Sequence, residues 1–225
     1  MAMPYYVSPE QMMQDKAEYA KKGISRGRST IAMEYKNGIL LLADNPSSLN
    51  KISEIYDKIG FAGAGKYSEF ENLRKAGIRH ADMKGYLYSR DDVTAKSLAN
   101  AYSQSLGTIF SQEIKPLEVE ILVVEVGSSH EDNEIYRISF DGSIFDEKGF
   151  TVVGGESENL KNCLEKGYRL AELREALQIA LKAMEEEYDQ KLSPEGMEVA
   201  VLDRTRAGRT FRRLHQKELA GVLKK

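Results

Sequence analysis

Gly60-Phe-Ala-Gly-Ala-Gly65-Lys66 satisfies G-x-x-x-x-G-K, the spacing at which a phosphate-cradling loop offers backbone N–H groups and a lysine to a nucleotide. The motif then needs Ser or Thr to hold Mg²⁺. Tyr67 stands there instead, and Ser68 comes one place late. Asp44 follows the apolar run Ile39–Ala43 as a magnesium-binding strand end would, but it precedes the glycines and falls in a hairpin. A Gly/Ala-rich strand packed closely against a second sheet, with Lys66 in solvent, accounts for the same residues without a nucleotide.

Other chemistry is thinner. No G-x-S-x-G places a serine on a nucleophile turn, and His80, His130 and His215 lie far apart with neither HExxH nor CxxC. No metal site and no cofactor are expected. Cys163 falls at helical spacing among Leu160, Leu164 and Tyr168, which reads as a buried, inert thiol. Lys51 opens the apolar-alternating stretch Lys51-Ile-Ser-Glu-Ile-Tyr after a polar loop. Taken alone it is a surface lysine paired weakly with a carboxylate such as Glu54, worth at most ~1 kcal/mol.

The elements that must position these residues come from 225 amino acids, 41% hydrophobic and 30% charged, enough apolar material for a substantial core and for a single domain over residues 1–225. Lys+Arg 32 against Asp+Glu 35 gives a formal charge of −3 with no strongly biased block, so nucleic acid is not an expected partner. The longest apolar runs are far too short to span a bilayer, which excludes a membrane-spanning reading. The start Met1-Ala-Met-Pro-Tyr-Tyr lacks a basic region and an apolar stretch, so no secretory signal is expected. With a single cysteine, this points to a reducing cytoplasm.

Ser8-Pro9-Glu10-Gln11 predicts a helix start: Ser8 as N-cap, Pro9 at the first helical position, Gln11 completing a capping box. The helix is expected over residues 8–22 with Gly23 as its stop, and its sparse apolar face (Met12, Met13, Ala17, Tyr19, Ala20) suits docking on a partner. Strands are expected at Ser29–Tyr35 and Ile39–Asp44 around Asn37-Gly38, then at Ile52–Asp57 and Gly60–Ala64. Helices follow at Tyr67–Lys84 and Thr94–Gln112, and strands at Glu118–Val126, Glu134–Phe140, near Ile144 and at Phe150–Val153. Helices at Ser157–Tyr168 and Leu170–Asp189 precede a last hairpin, Met197–Asp203 with Thr210–Leu214. Tight hairpins make antiparallel sheets, and helices in adjacent pairs belong outside them, so the class is α+β with sheets stacked within.

Nearly the whole chain resembles a proteasome α subunit of the actinobacterial 20S type. The segments that carry the likeness are Pro4-Tyr-Tyr-Val-Ser-Pro-Glu-Gln-Met-Met, Gly23-Ile-Ser-Arg-Gly-Arg-Ser-Thr, Ala43-Asp-Asn-Pro-Ser, Lys51-Ile-Ser-Glu-Ile-Tyr-Asp and Gly60-Phe-Ala-Gly-Ala-Gly-Lys-Tyr. Phe70-Glu-Asn-Leu-Arg, Leu106-Gly-Thr-Ile-Phe, Tyr136-Arg-Ile-Ser-Phe-Asp-Gly-Ser-Ile, Val153-Gly-Gly and Met197-Glu-Val-Ala-Val-Leu-Asp follow in order. The resemblance implies a four-layer αββα sandwich of the N-terminal-nucleophile hydrolase type over residues 29–214, with an extra N-terminal helix.

Catalytic β-type subunits of that family expose a threonine as the first residue of the mature chain. Its hydroxyl attacks and its free amine acts as base, aided by an acid and a lysine. In a gap-free overlay Arg28 falls at the threonine, Asp44 at the acid and Lys51 at the lysine. The nucleophile is missing, so no catalytic residue is expected. The alternative is a threonine-type hydrolase of the β kind, or one processed to begin at Ser29 or Thr30.

As an α subunit, the chain is expected to form a seven-membered homo-oligomeric ring. Two such rings would cap two β rings (α7β7β7α7) and control the passage of protein substrates to the proteolytic chamber. The resemblance makes Met1–Val7 the gate, with Tyr5, Tyr6 and Val7 packing about the axis, although the Tyr-Asp-Arg signature of archaeal and eukaryotic relatives is absent. It makes Lys51 the pocket lysine that receives the C-terminal carboxylate of an activator, commonly a hexameric AAA ATPase. Gly65 becomes the pocket wall, and Pro9 and Glu18 the turn and first-helix acid that relay occupancy to the gate.

Overall fold

The computed structural model describes residues 8–155 and 157–223. The gate residues Tyr5, Tyr6 and Val7 lie outside them. Helix α1 spans Pro9–Ser25, with the Ser8 Oγ accepting from the Gln11 N–H at 3.2 Å. Only half of the expected capping box forms, because the Gln11 side chain donates forward to Asp15 (2.7 Å). Gly23 does not stop the helix. A β-carbon there would strike the Glu118 side chain, so glycine serves close packing, and the helix runs three residues past Lys22 to cap at Arg26. Lys16, Ala20 and Ile24, four residues apart, form the buried stripe. Ala20 and Ile24 meet Phe140 and Phe110, and the Lys16 ammonium donates to the Phe110 carbonyl (3.1 Å).

Strands β1 (Thr30–Tyr35) and β2 (Gly38–Asp44) pair in the register Thr30↔Ala43 to Tyr35↔Gly38. The turn is therefore Lys36-Asn37, not Asn37-Gly38. Gly38 is already in the strand, where a β-carbon would collide with the Leu202 carbonyl. Strands β3 (Ile52–Tyr56) and β4 (Ile59–Gly65) lead into helices α2 (Tyr67–Leu87) and α3 (Ala95–Gln112). Thr94 caps α3 through the Ser97 N–H. Strands β5 (Val119–Glu125), β6 (Glu134–Ile138), β7 (Ile144–Glu147) and β8 (Phe150–Val153) come next. Helices α4 (Ser157–Gly167) and α5 (Leu173–Tyr188), strands β9 (Met197–Asp203) and β10 (Phe211–Arg213) and helix α6 (Gln216–Leu223) complete the order. The sequence assigns no helix after Leu214, so α6 is an addition. Helix α5 is shorter than expected, starting at Leu173 instead of Leu170 and closing where Asp189 turns left-handed (φ 47°).

Two five-stranded antiparallel sheets result, ordered β10-β9-β2-β1-β8 and β3-β4-β5-β6-β7. Alternation distributes each strand between two interiors. In β2, Leu40 and Leu42 face α4 and α5, meeting the layer of Leu177 and Leu181, while Ile39, Leu41 and Ala43 face the other sheet. On the second sheet Phe61, Ile121 and Val123 pack with Phe70, Leu98, Tyr102 and Leu106 of α2 and α3. Ala62, Ala64, Leu122 and Val124 meet the first sheet. These are the four layers of an αββα sandwich, with α1 lying across one end against β4 and β5. No helix among the described residues is long and apolar enough to cross a membrane.

The glycine-rich motif is the strand of the plainer reading. Residues 59–65 are β4, hydrogen-bonded between β3 and β5, and so form no phosphate-cradling loop. A β-carbon on Gly60 would press on Leu202, Val124 and Leu41, and one on Gly63 on the Phe70 ring. The half-exposed Lys66 pairs with Glu69 at 3.2 Å.

Candidate functional site

Asp44 closes β2 at the end where β1 begins, and the polar turn 45–50 returns the chain to Lys51 at the head of β3. Both sheets therefore start beside the C-terminal end of α1. The Arg28 guanidinium reaches across to Asp44 (Nη1–Oδ2 2.7 Å), its side chain half exposed and that of Asp44 nearly buried. The Lys51 ammonium donates to two main-chain carbonyls, Arg28 O at 2.8 Å and Asp44 O at 3.3 Å. Arg28, Asp44 and Lys51, aligned by the overlay of the sequence, are thus one cluster.

Burial pushes the Lys51 ammonium down to about 8, against the opposing pull of the Asp44 and Glu198 carboxylates and with a small further push from Arg28. Glu198 accepts from the Lys51 N–H (2.7 Å), the Ile52 N–H (3.2 Å) and the Asn45 amide (2.8 Å), and it pairs with Arg213. It fixes the main chain from which Lys51 projects. Sequence reasoning missed Glu198 and Arg213. Each is about 150 residues from Lys51 and sits in an ordinary strand, so no local pattern singles them out.

Gly65 joins the cluster through the backbone. It adopts φ 98°, and a β-carbon on Gly27 would come 2.9 Å from the Gly65 nitrogen. Lys51 and Gly65 thus meet at the Gly27–Arg28 segment. Pro9 and Glu18 do not. Pro9 is at the far end of α1, roughly 25 Å away along the helix axis. Glu18 lies midway, accepting from the Gln14 amide (3.3 Å).

Beside the cluster is a cleft of about 400 Å³ lined by Ser25, Gly27, Arg28, Asp44, Gly155, Glu187, Tyr188 and Gln190. Its lining is polar and mixed in charge, the Arg28 guanidinium beside the Asp44 and Glu187 carboxylates. The candidate nucleophiles of the alternative reading are sealed: Ser29 and Thr30 are fully buried. The Ser29 Oγ points to the Gly154 carbonyl (3.4 Å), and its N–H donates to the Tyr188 hydroxyl (3.4 Å). Cys163 is half-buried against the α4–α5 layer. No group of His, Cys, Asp and Glu among the described residues could hold a metal ion. A larger cleft of about 670 Å³ lies between α1 and residues 111–116, where Met12, Tyr19 and Ile114 make an apolar wall.

Comparison with known proteins gives a consistent result. A family described as proteasome subunit matches residues 24–202. Proteins named proteasome subunit alpha are similar along almost the entire chain. The one from Frankia casuarinae is 52% identical over 99% of this chain and 98% of its own length. That from Streptosporangium roseum is 54% identical over 99% and 87%. That from Thermobifida fusca is 51% identical over 99% and 91%.

Proposed function

The chain belongs to the proteasome subunit family, on its α side, and from that premise we propose that it builds and gates the outer ring of a 20S core particle without cutting peptide bonds itself. The observation that carries the non-catalytic reading is the Arg28–Asp44 ion pair at the start of β1. A threonine mechanism needs a hydroxyl and a free amine at that place. Here a guanidinium holds the acid, the lysine donates to carbonyls, and the backbone continues into α1, so no amine is free. A β-type hydrolase would have to discard α1 and Arg28 before any nucleophile emerged.

The rest of the role follows the same premise. Seven copies form a ring, stack on β subunits in the order α7β7β7α7, and work in the cytoplasm on protein substrates in transit. Residues 1–7, with Tyr5, Tyr6 and Val7, close the axial opening. A hexameric AAA ATPase docks its C-terminal tails in pockets formed by Lys51 and Gly65 of one chain with Pro9 and Glu18 of its neighbour. Within one chain Pro9 lies most of a helix length, and Glu18 about half of one, from Lys51 and Gly65, which supports a pocket shared between copies. The exposed Met12, Met13 and Tyr19 on α1 support contact with a neighbour.

The test is direct. The purified chain alone, given a fluorogenic peptide, is expected to show no hydrolysis, and electron micrographs with a β partner should show capped cylinders. Hydrolysis by the isolated chain, abolished by a threonine-directed covalent inhibitor, would overturn the reading.

A further inference from the structure

The preceding reading gives Arg28 only a negative duty, that of standing where a nucleophile would be. Its geometry is more specific. Arg28 and Lys51 are both anchored on Asp44, the guanidinium on the carboxylate and the ammonium on the main-chain carbonyl. An ammonium has three N–H donors. Two of those of Lys51 are taken by the carbonyls of Arg28 and Asp44, which leaves one for a ligand. One donor cannot satisfy both oxygens of a carboxylate. The Arg28 side chain is half exposed at the cleft, and one of its five N–H groups bonds to Asp44. Asp44, nearly buried, holds the planar group in place, and such a fork matches a carboxylate in geometry and charge.

We propose that Arg28 is a second cationic contact for the terminal carboxylate of the docking partner, acting beside Lys51. The inference rests on the docking role assigned to Lys51 above and adds a residue to it. Glu187 lines the same cleft. Glu198, the other nearby acid, is engaged by Arg213 and by the backbone of β3.

The experiment uses the assembled particle and two labelled probes, acetyl-Gly-Tyr-Ala with a free α-carboxylate and its C-terminal amide, and reads the ratio of their affinities. The native particle should prefer the acid. Arg28→Gln should lower that preference about tenfold, the scale of one charge-assisted hydrogen bond, and leave binding of the amide unchanged. The double variant Arg28→Gln/Asp44→Asn, which strands no buried carboxylate and so preserves the fold, should show the same loss.

Recovery of the preference in the double variant would mean that Arg28 merely neutralises Asp44, and the proposal falls. If Lys51→Gln loses the preference while Arg28→Gln keeps it, the proposal falls and the docking role of Lys51 stands. If the native particle shows no preference, or neither variant changes it, the docking role fails and the proposal with it.

Discussion

Lys51 donates two of its ammonium N–H groups to carbonyls, and burial brings its basicity down to about 8 from an ordinary 10.5. Between those values the unfolded chain binds more protons than the folded one. This group's contribution to stability is therefore complete above pH 10.5 and is lost as pH falls through about 8. Docking runs the other way, because a carboxylate needs the charged ammonium. Affinity for a carboxylate-ended peptide is expected to fall as pH rises from 7 to 9, measured by titration on the assembled particle. Lys51→Arg should flatten that slope, since a guanidinium does not titrate there. Lys51→Ala should weaken ATPase docking while rings still assemble, and unimpaired docking would remove Lys51 from the pocket. Gly65→Ala forces a side chain into φ 98° and against the Glu118 carbonyl, so a stability loss of about 1–3 kcal/mol is expected in thermal unfolding.

At the scale of elements, α1 shows what local reasoning can and cannot reach. Its N-terminal signals are chemical and local, so Ser8 and Pro9 are legible in the sequence, and the Ser8 cap forms. Its end is not legible locally, because Gly23 has two possible uses. Glycine stops helices, and glycine also admits a neighbour, here Glu118, which arrives from 95 residues further on. The same ambiguity moved the β1–β2 turn, where Gly38 serves the close approach of β9 and not the turn. On the proposed gating role, removal of Met1–Val7, which precede the capped start of α1, is expected to raise peptide hydrolysis several-fold in particles assembled with an active β partner. An unchanged rate would take the gate away from that segment.

For the whole molecule, stability resides in three stacked interiors, one of them between the two sheets. Leu41 is fully buried there among Ala62, Leu122 and Leu202. Leu41→Ala should cost about 2–5 kcal/mol in chemical denaturation. Because that layer joins both sheets, the transition should stay single, with probes on α2 and α5 losing signal together.

Hairpins and helix periods follow from the sequence by itself, because each depends on residues close together in the chain. The α+β class follows in turn, since strands joined by tight turns must be antiparallel and paired helices must cover them. Only the tertiary structure decided which hairpins share a sheet: β1 and β2 join β8, β9 and β10, while the chain between them builds the other sheet. The same holds for Glu198 of β9, which the fold alone brings to the Lys51 backbone beside Arg28 and Asp44. Strand alternation marks a buried face without naming its partner. Sheet pairing and the convergence of charges are settled by which surfaces exclude water together, a property of the packed molecule.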